Sequence, residues 1–192
     1  MRWVVDNLNR RFGNLLAVVT VAVLSLLSHS AYARDDGYTY AGVDLNYSNL
    51  RALGATYNPI NMRAKLGVIL LPDIIPVLAF ETQFGFDLTD DTNTINGRDI
   101  SLSINYYVGF YARASHDVAD FVSVYGLLGL AAAQLEGNTI FLEDDTETGF
   151  SFGLGAIFKL PLDIDGSIEV MQLVNGDAFE IYMASIGASY KF

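Results

Sequence analysis

The chain has 192 residues with a formal charge of −11, is 52% hydrophobic and contains no cysteine; its mean hydropathy is +0.31. No cysteine means no disulfide, thiolate metal site or cysteine nucleophile. So acidic a chain is a poor fit to nucleic acid, whose phosphates reward Lys and Arg.

The first element in chain order is a basic-then-apolar leader. "MRWVVDNLNRR" carries Arg2, Arg10 and Arg11, "FGNLLAVVTVAVLSLL" is apolar, and "AYA" at 31–33 puts small residues at −3 and −1. This layout predicts a secretory signal peptide over 1–33, cleaved after Ala33. A retained anchor is the alternative, disfavoured because the apolar run falls short of the roughly 20 residues needed to span a bilayer. The expected mature domain, 34–192, loses three arginines and one aspartate and reaches −13.

Downstream, alternation by two replaces any helical period. In "YAGVDLNYS" (40–48) Ala41, Val43, Leu45 and Tyr47 oppose Tyr40, Gly42, Asp44, Asn46 and Ser48. In 61–70 Met62, Ala64, Leu66, Val68 and Leu70 oppose Arg63, Lys65, Gly67 and Ile69. In 77–88 Leu78, Phe80, Thr82, Phe84, Phe86 and Leu88 oppose Ala79, Glu81, Gln83, Gly85 and Asp87. In 99–111 the bulky set is Ile100, Leu102, Ile104, Tyr106, Val108 and Phe110. Segment 121–136 is apolar on both faces and its orientation stays open, while 165–174 alternates weakly. In 149–160 Phe150, Phe152, Leu154, Ala156, Phe158 and Leu160 oppose Ser151, Gly153, Gly155, Ile157 and Lys159. The last segment, from 181, sets Tyr182, Ala184, Ile186, Ala188, Tyr190 and Phe192 against smaller residues.

Eight strands result, joined by short connections (71–76, 114–120, 161–164) that alternate with longer ones (49–59, 89–98, 137–149), the brief 175–179 aside. That rhythm predicts a closed, eight-stranded, antiparallel up-and-down barrel. Alternation alone does not choose its solvent. A soluble carrier of the lipocalin type would turn the bulky face inward; a membrane barrel turns it to lipid. Small Gly and Ser on the other face suit a filled eight-stranded lumen. Aromatic residues near strand ends (Tyr38, Tyr47, Tyr57, Phe121, Phe150, Tyr182, Phe192) suit an interfacial girdle.

The ending "SIGASYKF" places Ser185, Gly187, Tyr190 and Phe192 in a pattern that resembles the C-terminal signal of bacterial outer-membrane β-barrel proteins. With the leader and the strands, the chain resembles the small OmpA/OmpX-like, porin-like outer-membrane barrel family. The resemblance implies a transmembrane barrel in a Gram-negative outer membrane, surrounded by lipid and lipopolysaccharide. It also implies insertion by the barrel assembly machinery, a monomer, no cofactor, and a structural, surface-interaction or narrow porin-like role.

Candidate sites follow. By parity Asp44, Arg63, Lys65 and Glu81 face one interior, and the 71–76 turn should bring Lys65 near Glu81. An Asp44–Lys65–Glu81 layer with Arg63 beside it is therefore expected, read as structural pairing rather than an ion path, because an unpaired buried charge costs several kcal/mol. Asp87, Asp90, Asp91 and Asp99, with Glu143, Asp144, Asp145 and Glu147, crowd two loops. They lack EF-hand spacing and are read as a solvated rim rather than a metal site. His116 with Ser115 and Asp117 has the composition of a triad, but adjacent turn residues do not point together. A lipid A-modifying enzyme is thus an alternative only, and no catalytic residue, metal or cofactor is expected.

Overall fold

The computed structural model describes residues 39–192 except 53, 72–76, 96, 138–145 and 177–178. The 1–33 leader, Tyr38, Glu143, Asp144 and Asp145 lie outside the described residues. The strands are β1 (Thr39–Ala52), β2 (Ala55–Tyr57), β3 (Ile60–Leu71), β4 (Val77–Asp87), β5 (Asp91–Ile95), β6 (Arg98–Ala119), β7 (Val122–Gly137), β8 (Thr146–Lys159), β9 (Ile164–Asn175) and β10 (Phe179–Lys191). Every neighbouring pair is antiparallel, and β10 pairs with β1, closing the ring. Eight strands make the wall. The short β2 and β5 fold back on β1 and β6 as hairpin extensions within the longer connections.

Closure removes the sheet edge, so backbone donors and acceptors are satisfied within the wall, as hydrocarbon demands. It reaches the last residue: Thr39 N donates to Phe192 O (3.2 Å) and Phe192 N to Thr39 O (2.9 Å).

The solvent assignment follows from burial. Phe80, Phe84, Phe110, Phe150, Phe152, Leu154, Val170 and Ile186 are all 45% exposed or more, on a continuous outer belt. A water-facing surface would not carry so broad an apolar band. Polar side chains occupy the inside instead: Asp44, Arg63, Lys65, Glu81, Gln83 and Glu169 are all buried.

Strands β1, β3, β4, β8 and β10 keep the phase that alternation predicts. β6 does not. The β6–β7 ladder slips between Ile104 and Tyr106, leaving Asn105 as an extra residue. Such a bulge inverts the side-chain phase on one side of it. Leu102 and Ile104, expected outside, are fully buried inside, while Tyr107 and Tyr111 keep their inward places. The same strand runs on through Ala119, so most of the expected 114–120 connection is hairpin, turning at 120–121. β7 is oriented by its partners: Tyr125, Leu127, Ala131, Ala133 and Leu135 face in, and Val124, Leu128 and Leu130 face out.

Of the expected girdle, Tyr47, Phe121, Phe150 and Phe192 are exposed on the outside. Tyr57 is not: it pairs with Leu50 through β2 and is wholly buried in the apolar end of the lumen.

Candidate functional site

Following β1 from the end that holds the chain terminus, the inward residues run Tyr40, Gly42, Asp44, Asn46, Ser48, Leu50, Ala52. Polarity changes partway. β9 repeats the order as Asp165, Ser167, Glu169, Met171, Leu173. In outer-membrane barrels the short turns lie on the periplasmic side and the longer loops outside. The lumen therefore has a charged periplasmic half and an apolar extracellular half.

Among the described residues the middle of the charged half holds three cations and three anions linked through shared contacts, with Asp165, paired to Lys191 at 2.8 Å, nearer the periplasmic mouth. Arg63 Nε donates to Asp44 Oδ2 at 2.8 Å, and its Nη1 donates to Glu169 Oε1 at 2.7 Å and to Gln83 Oε1 at 3.1 Å. Lys65 Nζ donates to the other Asp44 oxygen at 2.7 Å and to Ser167 Oγ at 3.1 Å. Arg113 Nη1 donates to Glu81 Oε2 at 3.1 Å and to the Tyr40 hydroxyl at 3.0 Å, and Tyr40 in turn donates to Glu81. The Arg113 guanidinium stands 4.0 Å from the Tyr125 ring centroid, and the Tyr125 hydroxyl donates to Glu169 Oε2 at 2.7 Å. The six charges cancel. In so narrow a space each anion needs its cation, since stranding one buried charge costs about 3–5 kcal/mol.

The four residues expected in this layer are all inside, but grouped differently. Asp44 bridges Arg63 and Lys65. Glu81 is diagonal to Lys65 rather than opposite it: the β3–β4 register sets Lys65 across from Gln83 and Gly67 across from Glu81. Glu81 pairs with Arg113 instead. Arg113 and Glu169 are absent from the sequence expectation, although each lies at inward parity on its strand.

Tyrosines brace this half. Gly67, Gly85 and Gly155 lie beneath the rings of Tyr40, Tyr107 and Tyr125, and a side-chain carbon at any of them would overlap the ring. Gly187 is matched to a charge: a side chain there would fall on the Asp44 carboxylate. Within the terminal pattern, Ser185 faces inward, while Tyr190 and Phe192 point outward with rings stacked at 6.3 Å between centroids.

The extracellular half is apolar among the described residues. Leu50, Tyr57, Leu102, Ile104, Leu135, Leu173, Val174, Phe179 and Ile181 form one contiguous cluster, none more than 2% exposed. This plug crosses the lumen above the charges.

The remaining candidates separate. His116 is exposed on the outer face, whereas Asp117 is engaged by Lys159 Nζ at 2.7 Å and by Ser123 Oγ. Ser115 Oγ turns to the Val77 carbonyl, so the three residues form no triad. Asp91 caps backbone N–H groups of Asn58 and Thr92, Asp99 accepts from Thr94, and Asp87 accepts from the Ile104 backbone. Asp87 thus spans the gap where β6 changes partner from β4 to β5. Among the described residues no three acidic or histidine side chains converge on a metal position.

Fold and lumen together define an integral membrane barrel. The family model for the outer membrane protein beta-barrel domain matches residues 19–192, and the chain belongs to that family. Its place is the bacterial outer membrane, and its role is structural, surface-interacting or porin-like. Among solved structures it is similar to Ail, the attachment invasion locus protein of Yersinia pestis, in complex with the heparin analogue sucrose octasulfate. That match has 18% identity, covers 82% of this chain and 99% of that one, and has a TM-score of 0.58. Neisserial surface protein A matches with 15% identity, 80% and 97% coverage and a TM-score of 0.58. The N-terminal β-barrel domain of Pseudomonas aeruginosa OprF matches with 14% identity, 79% and 97% coverage and a TM-score of 0.51. At these identities the likeness speaks to fold alone. No curated protein matches the chain by sequence.

Proposed function

We propose that the protein is a sealed barrel that works as a structural and surface-displaying element of the outer membrane and is not a solute pore. The single observation that carries this reading is the apolar cluster across the extracellular half of the lumen. A hydrated ion crossing it would shed water among Leu50, Leu102, Leu135 and Ile181, whose side chains offer nothing polar to replace it, a step costing many kcal/mol. The charged half beneath is then an internal brace whose ions neutralise one another.

The outward display is acidic. Asp87, Asp90, Asp91, Asp99, Glu136, Glu147 and Glu180 stand against Arg51 and Arg98 on the described extracellular side. A sulfated polyanion such as the ligand in the Ail complex finds little to bind there, so we infer partners that are neutral or basic. The reading includes cleavage after Ala33, recognition of Ser185, Gly187, Tyr190 and Phe192 by the assembly machinery, a monomer, and no enzymatic role. Deleting the gene and finding an altered lipid A mass spectrum would overturn the last point.

The deciding experiment is planar-bilayer recording on the refolded barrel. The expected result is a silent bilayer for the native sequence and discrete conductance steps once Leu102→Ser and Leu135→Ser are combined. Steady conductance through the native sequence would end this reading.

A further inference from the structure

Inward side chains do not fill the lumen at its periplasmic end. Beyond the charge network, toward the short turns, they leave a cavity of about 240 Å³. Ile69, Val77, Ala79 and Ile157 make its apolar wall, and the first three pack with Tyr40 as a cluster of their own. Two ion pairs also line it, Lys159 with Asp117 and Lys191 with Asp165.

Arg113 forms the floor, between this cavity and the network. The fully buried Arg63 spends its whole fork on protein, with Nε and Nη2 on Asp44 and Nη1 on Glu169 and Gln83. Arg113 does not. Its Nη1 serves both Glu81 and Tyr40. Its Nε and Nη2 carry no hydrogen bond among the described residues, and neither is sealed from solvent. The space that this edge borders is the cavity. Two parallel N–H groups on one guanidinium edge are the donor set that takes a carboxylate through two hydrogen bonds. Across the β4–β6 ladder Arg113 pairs with Ala79, so the apolar wall begins beside the guanidinium.

The geometry points to a binding site for a small monocarboxylate from the periplasm. Its carboxylate lies on the Nε–Nη2 edge of Arg113, and its short apolar body lies against Ile69, Val77 and Ala79. Charge sets the class. Glu81 already balances Arg113 from behind, and the two lysines are held by Asp117 and Asp165, so the site suits one negative charge and not two. A dianion such as phosphate would also have to shed its water against the apolar wall. A neutral solute leaves the guanidinium edge unpaired. The apolar plug lies at the other end of the lumen, so conductance or silence of the barrel bears on the proposed function and not on this site.

The test is proton–nitrogen NMR of the refolded barrel in lipid nanodiscs, titrated with isovalerate, with its neutral analogue isovaleramide, and with inorganic phosphate. Isovalerate should shift the Arg113 Nε–H resonance saturably, in the millimolar range that so few atoms allow. The other two should leave it in place. Arg113→Gln combined with Glu81→Gln strands no charge and should weaken isovalerate binding about tenfold, read by saturation transfer to the ligand protons. Ala79→Leu fills the apolar wall, keeps every charge and should abolish binding. Arg51→Gln, at the extracellular end, should bind as the native chain does. Heat-modifiable gel migration verifies that each variant is folded, and Ala79→Val serves if Ala79→Leu is not. An Arg113 resonance that isovalerate does not move would overturn the proposal. So would equal binding by the native, doubly substituted and Ala79→Leu barrels, or isovaleramide or phosphate binding as well as isovalerate.

Discussion

The Asp44 carboxylate occupies the space that a side chain at position 187 would need. Gly187 is thus a packing partner of a buried anion, in addition to its place in the terminal pattern. Gly187→Val should displace Asp44 from Arg63 and Lys65 and lower stability by about 3 kcal/mol. Gly126→Val is the control, since an added carbon there meets Leu154 at 3.5 Å and the Gly153 carbonyl at 3.9 Å, both ordinary contacts. Urea unfolding in lipid vesicles reads both, and equal midpoints would refute the packing role.

Arg63 is fully buried and joins Asp44 to Glu169. Arg63→Met leaves two anions without their shared cation and should cost about 3–5 kcal/mol. Adding Glu169→Gln removes one stranded charge and should recover part of the loss. A double variant as unstable as the sum of the singles would mean that the two residues do not interact.

Gly85 lies beneath the Tyr107 ring. Gly85→Val should cost about 1–3 kcal/mol through overpacking. In the Tyr107→Ala background the same substitution should cost markedly less, because the obstructing ring is gone. Thermal unfolding followed by circular dichroism measures the difference.

Asn105 is the extra residue of the β6 bulge. Deleting it should remove the bulge while leaving Leu102 and Ile104 inward, in step with Tyr107. The expected outcome is a folded barrel that stays silent in a planar bilayer. Ion conductance by the deletion variant would show that the plug depends on this bulge.

Asp117 lies past the last β4–β6 pair, Val77↔Ser115, in the hairpin tip beyond the membrane-spanning wall. Hydrogen bonds from Lys159 and then Ser123 hold its carboxyl below the usual aspartate range. A carboxyl lowered by folding stabilises at pH above the unfolded value of about 3.9, and that contribution disappears as pH falls through the folded value. The pair is largely exposed, so the effect should be local. Amide exchange should quicken at 117–123 below about pH 4, while the barrel midpoint stays fixed. Asp117→Asn should abolish that change.

The phase of most strands was legible because lipid and lumen impose opposite chemistries on alternate residues of β1, β3, β4, β8 and β10. β6 misled for a physical reason. Ile100 through Phe110 alternates without a break, and nothing in one strand reveals that its neighbour skips a residue; the slip is visible only in the pairing with Leu135 and Gln134. β7 resisted assignment because an apolar plug on one side and lipid on the other ask for the same residues. Asp44, Arg63, Lys65 and Glu81 could be placed inside by parity, but their partners depend on register, which moves Lys65 to Gln83. Arg113 was hidden by ending its strand at 111. Glu169 was hidden by weak contrast, although Asp165, Ser167 and Glu169 share one face.

The contact between Arg63 and Glu169 joins positions 106 residues apart, on strands that meet only across the completed ring. Arg63 can meet Asp44 and Gln83 as soon as its neighbouring strands pair, but Glu169 reaches it only once the last hairpin docks and the circle is complete.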